Sequence, residues 1–207
     1  MATAIKPQVP ELISRTGRVK LIQAAEEHDA ASAVLRCHPI TRKHLHFLPA
    51  ECSVDDIRQL RESRAANEAC HEFNVLWCEK DGETKYIGST MVFHIDIAQR
   101  SCETGILISP DVHRTGVATD TFYTLFAYVF EVLEMHRVYL KTDAGNEGMR
   151  GWLENVAGAR LEMQEKEAWV DLRVEGGGAY TDVVGYAILE WEWTGRVKEV
   201  LEKRLGL

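Results

Sequence analysis

At 207 residues the chain suits one α/β domain, and its 45% hydrophobic content lets it bury a core without covalent staples. Five cysteines (Cys37, Cys52, Cys70, Cys78 and Cys102), odd in number and without a CxxC pair, argue against a disulfide framework or a cysteine zinc module. A net charge of −8 argues against nucleic acid as the main partner and suits a cationic substrate such as an amine, although surplus acid that only keeps the protein soluble fits as well.

Residues 1–10 lack the apolar core of a signal peptide, and no run approaches the ~18 apolar residues that span a bilayer. The expectation is a cytoplasmic protein with reduced thiols and no membrane partner. Residues 1–17 read as an N-terminal tail or lead-in, and residues 18–207 as a single domain without repeats or linker.

Arg18-Val19-Lys20-Leu21-Ile22 alternates as a first strand. Glu26, Glu27 and Asp29 suit the first turn of a helix through Ala30, Val34 and Leu35, which His38-Pro39 ends. Residues 41–49 mix basic, histidine and apolar residues without a period. A loop or short helix closing over a pocket is preferred there to a metal site, since His44 and His46 alone are a weak ligand pair; no metal is expected. Ser53 with Asp56 forms a capping box for a helix through Ile57 and Leu60.

Three strands follow, at 72–79, 85–95 and 102–108. The last ends in Gly105-Ile106-Leu107-Ile108, a run that suggests burial on both faces. Beyond a Gly-containing loop, Phe122, Leu125, Phe126, Val129 and Leu133 mark one face of a helix of about four turns. Arg137 to Thr142 form another strand, so this strand–loop–helix–strand unit predicts two parallel strands. Residues 147–156 read as a helix that Gly158 ends, with Trp152, Leu153 and Val156 as its apolar stripe. Two last strands, at 160–169 and 181–191, flank a flexible span with glycines 176–178, and residues 196–205 close the chain as a short helix. His71, His94 and His136 stand alone, and His94, beside Phe93 and Ile95, reads as a hydrogen-bonded structural histidine. Trp191 and Trp193 read as packing residues.

The central unit carries the chemistry. A strand, a tight loop and a helix start gather unpaired backbone N–H groups and a positive helix end at one spot, which suits a phosphate. The loop, His113-Arg114-Thr115-Gly116-Val117-Ala118, matches the spacing Gln/Arg-x-x-Gly-x-Gly/Ala with His113 at the first position. It is neither a Walker loop nor a dinucleotide fingerprint.

With Asn146 after the next strand, this arrangement resembles the GNAT superfamily of acyl-CoA N-acyltransferases, most closely the branch that acetylates ribosomal-protein N-termini. Further matching signs are Glu103-Thr104-Gly105, Pro110, Phe130-Glu131, Arg137-Val138, Gly158-Ala159, Tyr186-Ala187-Ile188-Leu189 and Glu192-Trp193. The resemblance implies a mixed α/β (α+β) fold: a mostly antiparallel sheet of six to seven strands with a central, splayed parallel pair, and helices on both faces. It implies that backbone N–H groups of Arg114, Thr115, Gly116, Val117, Ala118 and Thr119 hold the pyrophosphate of acetyl-CoA. The end of the strand through Leu107 and Ile108 would splay and pair with the pantetheine arm, with Asn146 beside it. The implied reaction is acetylation of a primary amine, on a small amine, an amino acid or antibiotic-like compound, or a protein N-terminus.

An alkylammonium must lose a proton before it attacks a thioester. Glu103 is the candidate base; the alternative is that it pairs with an arginine or binds the ammonium. The N–H of Leu107 or Ile108 is the candidate donor to the carbonyl oxygen. Met149 and Leu153 stand where many relatives of this family carry a Ser or Tyr proton donor, so Tyr186 is the candidate substitute, and Asp182 a candidate substrate contact. The rival function is a non-catalytic acyl-CoA-binding or sensing module. Neither the acceptor nor a choice between monomer and homodimer is legible at this level.

Overall fold

A computed structural model describes residues 9–174 and 178–207, so most of the expected glycine-rich span lies outside the described residues. Eight strands form one sheet: β1 (Leu12–Ile13), β2 (Val19–Gln23), β3 (Cys70–Cys78), β4 (Thr84–Asp96), β5 (Ser101–Ile108), β6 (Arg137–Asp143), β7 (Arg160–Val170) and β8 (Tyr180–Leu189). Their spatial order is β1-β2-β3-β4-β5-β6-β8-β7. Neighbours run antiparallel except β5 and β6, the central parallel pair. The sheet exceeds the expected six to seven strands by the two-residue β1, which pairs Leu12 with Leu21 and Ile13 with Lys20.

Helices cover both faces: α1 (Asp29–Cys37), the single turn α2 (Pro39–Arg42) and α3 (Val54–Ala66) precede β3, while α4 (Val117–Ala127) and α5 (Glu147–Trp152) flank β6 in sequence. Both α4 and α5 continue into a π-helical turn, Tyr128–Val132 and Leu153–Ala157. The chain closes with α6 (Glu190–Glu192), a π-helical turn at Trp193–Val197, and α7 (Lys198–Leu205). This helical run begins earlier than its period suggests. The Glu192 carboxylate accepts the Leu189 N–H at 2.8 Å, which caps a helix start and ends β8 at Leu189. Ser53 and Asp56 form the expected capping box of α3.

Strand alternation sends Cys102 of β5, Val92 of β4 and Val138 and Leu140 of β6 into the large core under α4. That helix is buried nearly all round. Phe122, Leu125, Phe126 and Val129 face the core as expected, and Asp120, Thr121 and Thr124 are buried too, because α7 packs on its outer side. The other face is thinner, with Leu35, Leu48 and Leu107 as its own small cluster. Val34, within α1 as expected, is 71% exposed.

Candidate active site

β5 and β6 share register at Ser101–Arg137, Cys102–Val138 and Glu103–Tyr139, and no further. Yet β5 runs on to Ile108 and β6 to Asp143. The strands therefore part above the Glu103–Tyr139 pair and leave a wedge. Gly105, Ile106 and Ile108 are only half-buried, against the expected burial on both faces, because the strand that would flank them has diverged.

β4 holds the far edge of β5 through the Gly88–Ile108 pair. The Ser109 N–H donates to the Ile87 carbonyl at 2.7 Å, and the Leu107 carbonyl lies 2.1 Å from where a Cβ on Gly88 would stand. Successive residues of a strand aim their peptide groups to opposite edges. Leu107 thus faces β4, whereas Ile106 and Ile108 face the wedge. Of the two expected oxyanion donors, the Ile108 N–H faces the wedge and the Leu107 N–H faces β4. His113, at the atypical first position of the loop, donates from Nε2 to the Ile108 carbonyl at 3.2 Å.

Above the wedge the loop turns through left-handed backbone at Arg114 (φ 64°) and Gly116 (φ 89°). Gly116 is the N-cap of α4 and has no side chain to occupy the first-turn N–H groups of Val117, Ala118 and Thr119. Val117 and Thr119 turn their side chains inward, and the Thr119 hydroxyl accepts the Trp152 indole N–H at 3.0 Å; Arg114 and Thr115 are exposed. Arg18, just before β2, brings its guanidinium to 3.8 Å from the Cβ position of Gly116 while pairing with the buried Asp120 at 3.3 Å. Nothing local to Arg18 signals this placement, since roughly a hundred residues separate it from the loop. Asn146 caps α5: its Oδ1 accepts the Met149 N–H at 3.1 Å and its Nδ2 donates to the Thr142 hydroxyl at 3.0 Å.

At the closed end of the wedge sits Glu103, 8% exposed. His94 Nδ1 donates to its carboxylate at 3.1 Å, and Tyr139 is its register partner across the parallel pair. Burial pushes the Glu103 carboxyl above the ordinary range, against the opposing pull of His94 and Lys141. Burial, and then Glu103 itself, raise the Tyr139 phenol. His94 reaches Glu103 from a left-handed residue (φ 51°) in the irregularity between the Phe93 and Asp96 pairs. Its hydrogen bond fits the structural reading, and its partner places it in the site.

Tyr186 does not join Glu103. Tyr139 pairs with Ala187 and Leu140 with Tyr186, so parity puts Tyr186 on the opposite face of the sheet. Its hydroxyl donates to the Glu154 carboxylate and accepts from Arg150 Nε at 3.3 Å, which anchors α5 and its extension. Leu153 is fully buried and Met149 packs against the core. Asp182 is engaged elsewhere, accepting from Lys166 Nζ at 2.7 Å and the Glu167 N–H at 3.0 Å. Trp193 is buried as expected; Trp191 is 60% exposed. The histidines of the turn after α2 meet β6: His44 and His46 bring ring nitrogens within 4.8 Å of each other and of the Asp143 carboxylate.

Among the described residues, no helix is long and apolar enough to cross a membrane. Residues 18–158 match the family model described as "Acetyltransferase (GNAT) domain". A curated relative from Bacillus subtilis, "Putative ribosomal N-acetyltransferase YdaF", is 31% identical over 108 residues, 52% of this chain and 56% of that protein; the match thus spans little more than half of the relative's length. Among solved structures, a GCN5-related N-acetyltransferase from Brucella melitensis superposes with a TM-score of 0.77 at 21% identity, covering 97% of this chain and 87% of that one. A spermidine N-acetyltransferase from Vibrio cholerae, solved in complex with CoA and spermine, gives 0.72 at 21% identity over 86% and 98% of the two chains. The fold is shared with both, and the family model covers most of this sequence, parted strands and loop included: the chain belongs to the GNAT acetyltransferase family.

Proposed function

We propose that this protein is an acetyl-CoA-dependent N-acetyltransferase that moves an acetyl group to a primary amine by direct attack. One observation carries the reading: the wedge between β5 and β6 has a buried carboxylate at its closed end and an uncapped helix N-terminus beyond its open end. The residues present fit the co-substrate. Half-buried strand edge at Ile106 and Ile108 offers backbone partners to an extended amide-bearing arm, and the bare loop at Gly116 lets N–H groups of residues 114–119 approach a pyrophosphate, with Arg18 beside it. Asn146 acts by fixing the start of α5 along the wedge.

Bound acetyl-CoA supplies the activated acyl thioester. Glu103 accepts the proton that an ammonium must lose before its nitrogen can attack, and the raised carboxyl pKa brings this base nearer neutrality. His94 holds the carboxylate and connects it to solvent. The Ile108 N–H faces the wedge as donor to a carbonyl oxygen gaining charge. A thiol pKa near ~8.5 makes the sulfur a tolerable leaving group, and Tyr139, the register partner of Glu103 across the parallel pair, is the candidate to return a proton as the carbon–sulfur bond breaks. Tyr186, bound to Glu154 and Arg150 on the opposite face of the sheet, has no part in this scheme, while Asp182, in an exposed pair with Lys166, stays a candidate substrate contact. The acceptor is a small amine, an amino acid or antibiotic-like compound, or a protein N-terminus, and the net charge of −8 suits a cationic one. The protein acts in the cytoplasm on this reading.

A second reading, a non-catalytic acyl-CoA sensor, is favoured by Met149 and Leu153, which leave no donor on α5 or its extension at the positions many relatives use. Incubation with acetyl-CoA and a panel of polyamines, amino acids and N-terminal peptides, followed by free thiol, separates the two. Thiol release above the blank supports the enzyme. Calorimetric CoA binding without turnover on any acceptor supports the sensor, and absence of CoA binding overturns both.

A further inference from the structure

We propose that His44, His46 and Asp143 form a binding site for one divalent transition-metal ion of the zinc type, at the end of β6 beside the wedge. The His44 Nδ1 lies 3.6 Å from Asp143 Oδ1, and the His46 Nδ1 lies 3.7 Å from Asp143 Oδ2. Both separations are too long for a hydrogen bond. They approach the spacing of ligands around an ion: atoms held ~2.0–2.1 Å from a tetrahedral metal stand about 3.3–3.5 Å apart.

The donor set is arranged as a metal requires. His46 is 5% exposed, its Nε2–H donates to the Lys43 carbonyl, and its Nδ1 has no hydrogen-bond partner. A backbone carbonyl on the second ring nitrogen orients the ring and leaves Nδ1 as the nitrogen open to a metal. That nitrogen and Asp143 Oδ2 stand 3.7 Å apart in a buried site without a hydrogen bond between them.

Asp143 is 5% exposed, and its Oδ1 accepts the Gly145 N–H at 2.9 Å. Among the described residues, only the two imidazoles lie at ion-pair distance from it. Asp171 approaches His46 at 4.0 Å, but Arg173 forks onto it and neutralises it, so it is an outer neighbour. Two imidazoles and one carboxylate suit zinc, cobalt, nickel or ferrous iron far better than magnesium or calcium. A bound ion would tie the turn after α2 to the end of β6 and so set the wall on the Glu103 face of the wedge. The proposal stands apart from acetyl transfer, because it concerns this cluster alone.

The test uses the full chain, stripped with chelator and free of any histidine tag. Calorimetry with zinc is expected to show one equivalent bound, and X-ray absorption of the zinc-loaded wild-type protein an all nitrogen/oxygen shell with imidazole scattering. H44A and D143N are each expected to weaken zinc at least tenfold with unchanged circular dichroism. No stoichiometric uptake, a sulfur-containing shell from one of the free cysteines, or equal affinity in well-folded variants overturns the proposal. The absorption experiment needs only wild-type protein, so a variant that fails to fold does not leave the question open.

Discussion

Glu103 shows how one residue is set against itself. Burial penalises its charge more than His94, Lys141 and Tyr139 reward it, so its carboxyl titrates above the ordinary range. A carboxyl raised in the folded state destabilises that state while ionised, and the penalty is relieved as pH falls through the raised value. E103Q should therefore melt no lower than wild type at pH 8, and any advantage should shrink as the pH of paired melts is lowered toward the ordinary glutamate range. Activity should respond in the opposite sense. Removing a general base costs typically ~10²–10⁴ in rate, so kcat on the best acceptor should drop by about that factor with calorimetric CoA affinity retained. In wild type the acid limb of kcat/KM should lie above the usual carboxylate range and vanish in the residual activity of E103Q. A purely structural Glu103 would instead lose stability and cofactor affinity together. Tyr186 offers the contrast: its hydroxyl serves Glu154 and Arg150 under α5, so Y186F should keep kcat within a few-fold and lose about 1 kcal/mol of stability in denaturant melts.

At the scale of elements, the wedge is made by two glycines with different duties. Gly116 caps α4 in left-handed backbone, and a Cβ there would meet only Arg18 nitrogens at 3.8 and 3.9 Å. Space is available, so G116A should cost conformational strain alone, roughly 1–2 kcal/mol. Because the N–H groups it presents would shift, KM for acetyl-CoA should rise several-fold while kcat stays near wild type. Gly88 is held where a Cβ would stand 2.1 Å from the Leu107 carbonyl and 3.1 Å from the Ile108 Cα. That is backbone against backbone, which no rotamer change relieves. G88A should cost at least the ~1–3 kcal/mol of an overpacked core and should push β5 toward the wedge, so kcat and cofactor affinity fall together. Chemical denaturation paired with steady-state kinetics checks both variants; equal behaviour of the two would refute the distinction.

Across the whole molecule, the sequence was most legible where its signals are local. The β5–loop–α4–β6 unit follows from a strand run, a Gly at a helix start and a 3.6-residue stripe, each readable within a few residues. What escaped depends on distant pairing. The face of Tyr186 turns on one residue of register between β6 and β8, and the meeting of His44 and His46 with Asp143 joins segments about a hundred residues apart. His94 reaches Glu103 only through a left-handed non-glycine residue, which no pattern announces. The start of the closing helical run is hidden in sequence because Leu189-Glu190-Trp191-Glu192-Trp193 alternates like a strand, whereas Glu192 caps a helix there. That helix start separates two tryptophans that look equivalent in sequence. Trp193 is fully buried, stacks on Phe130 at 5.7 Å, meets Phe126 edge-on at 6.1 Å, and donates its indole N–H to Glu131 at 2.9 Å. It locks the closing run onto α4, whose N-terminus carries the Arg114–Gly116 loop. W193A should cost ~3–5 kcal/mol, a large part of the ~5–15 kcal/mol that domains possess. At about 2–4 °C per kcal/mol for a chain of this size, calorimetric melting should fall by on the order of 10 °C. Trp191, 60% exposed two residues earlier, provides the control. W191A should stay within about 0.5 kcal/mol of wild type, and comparable losses for both variants would mean that the closing helix does not seat as described.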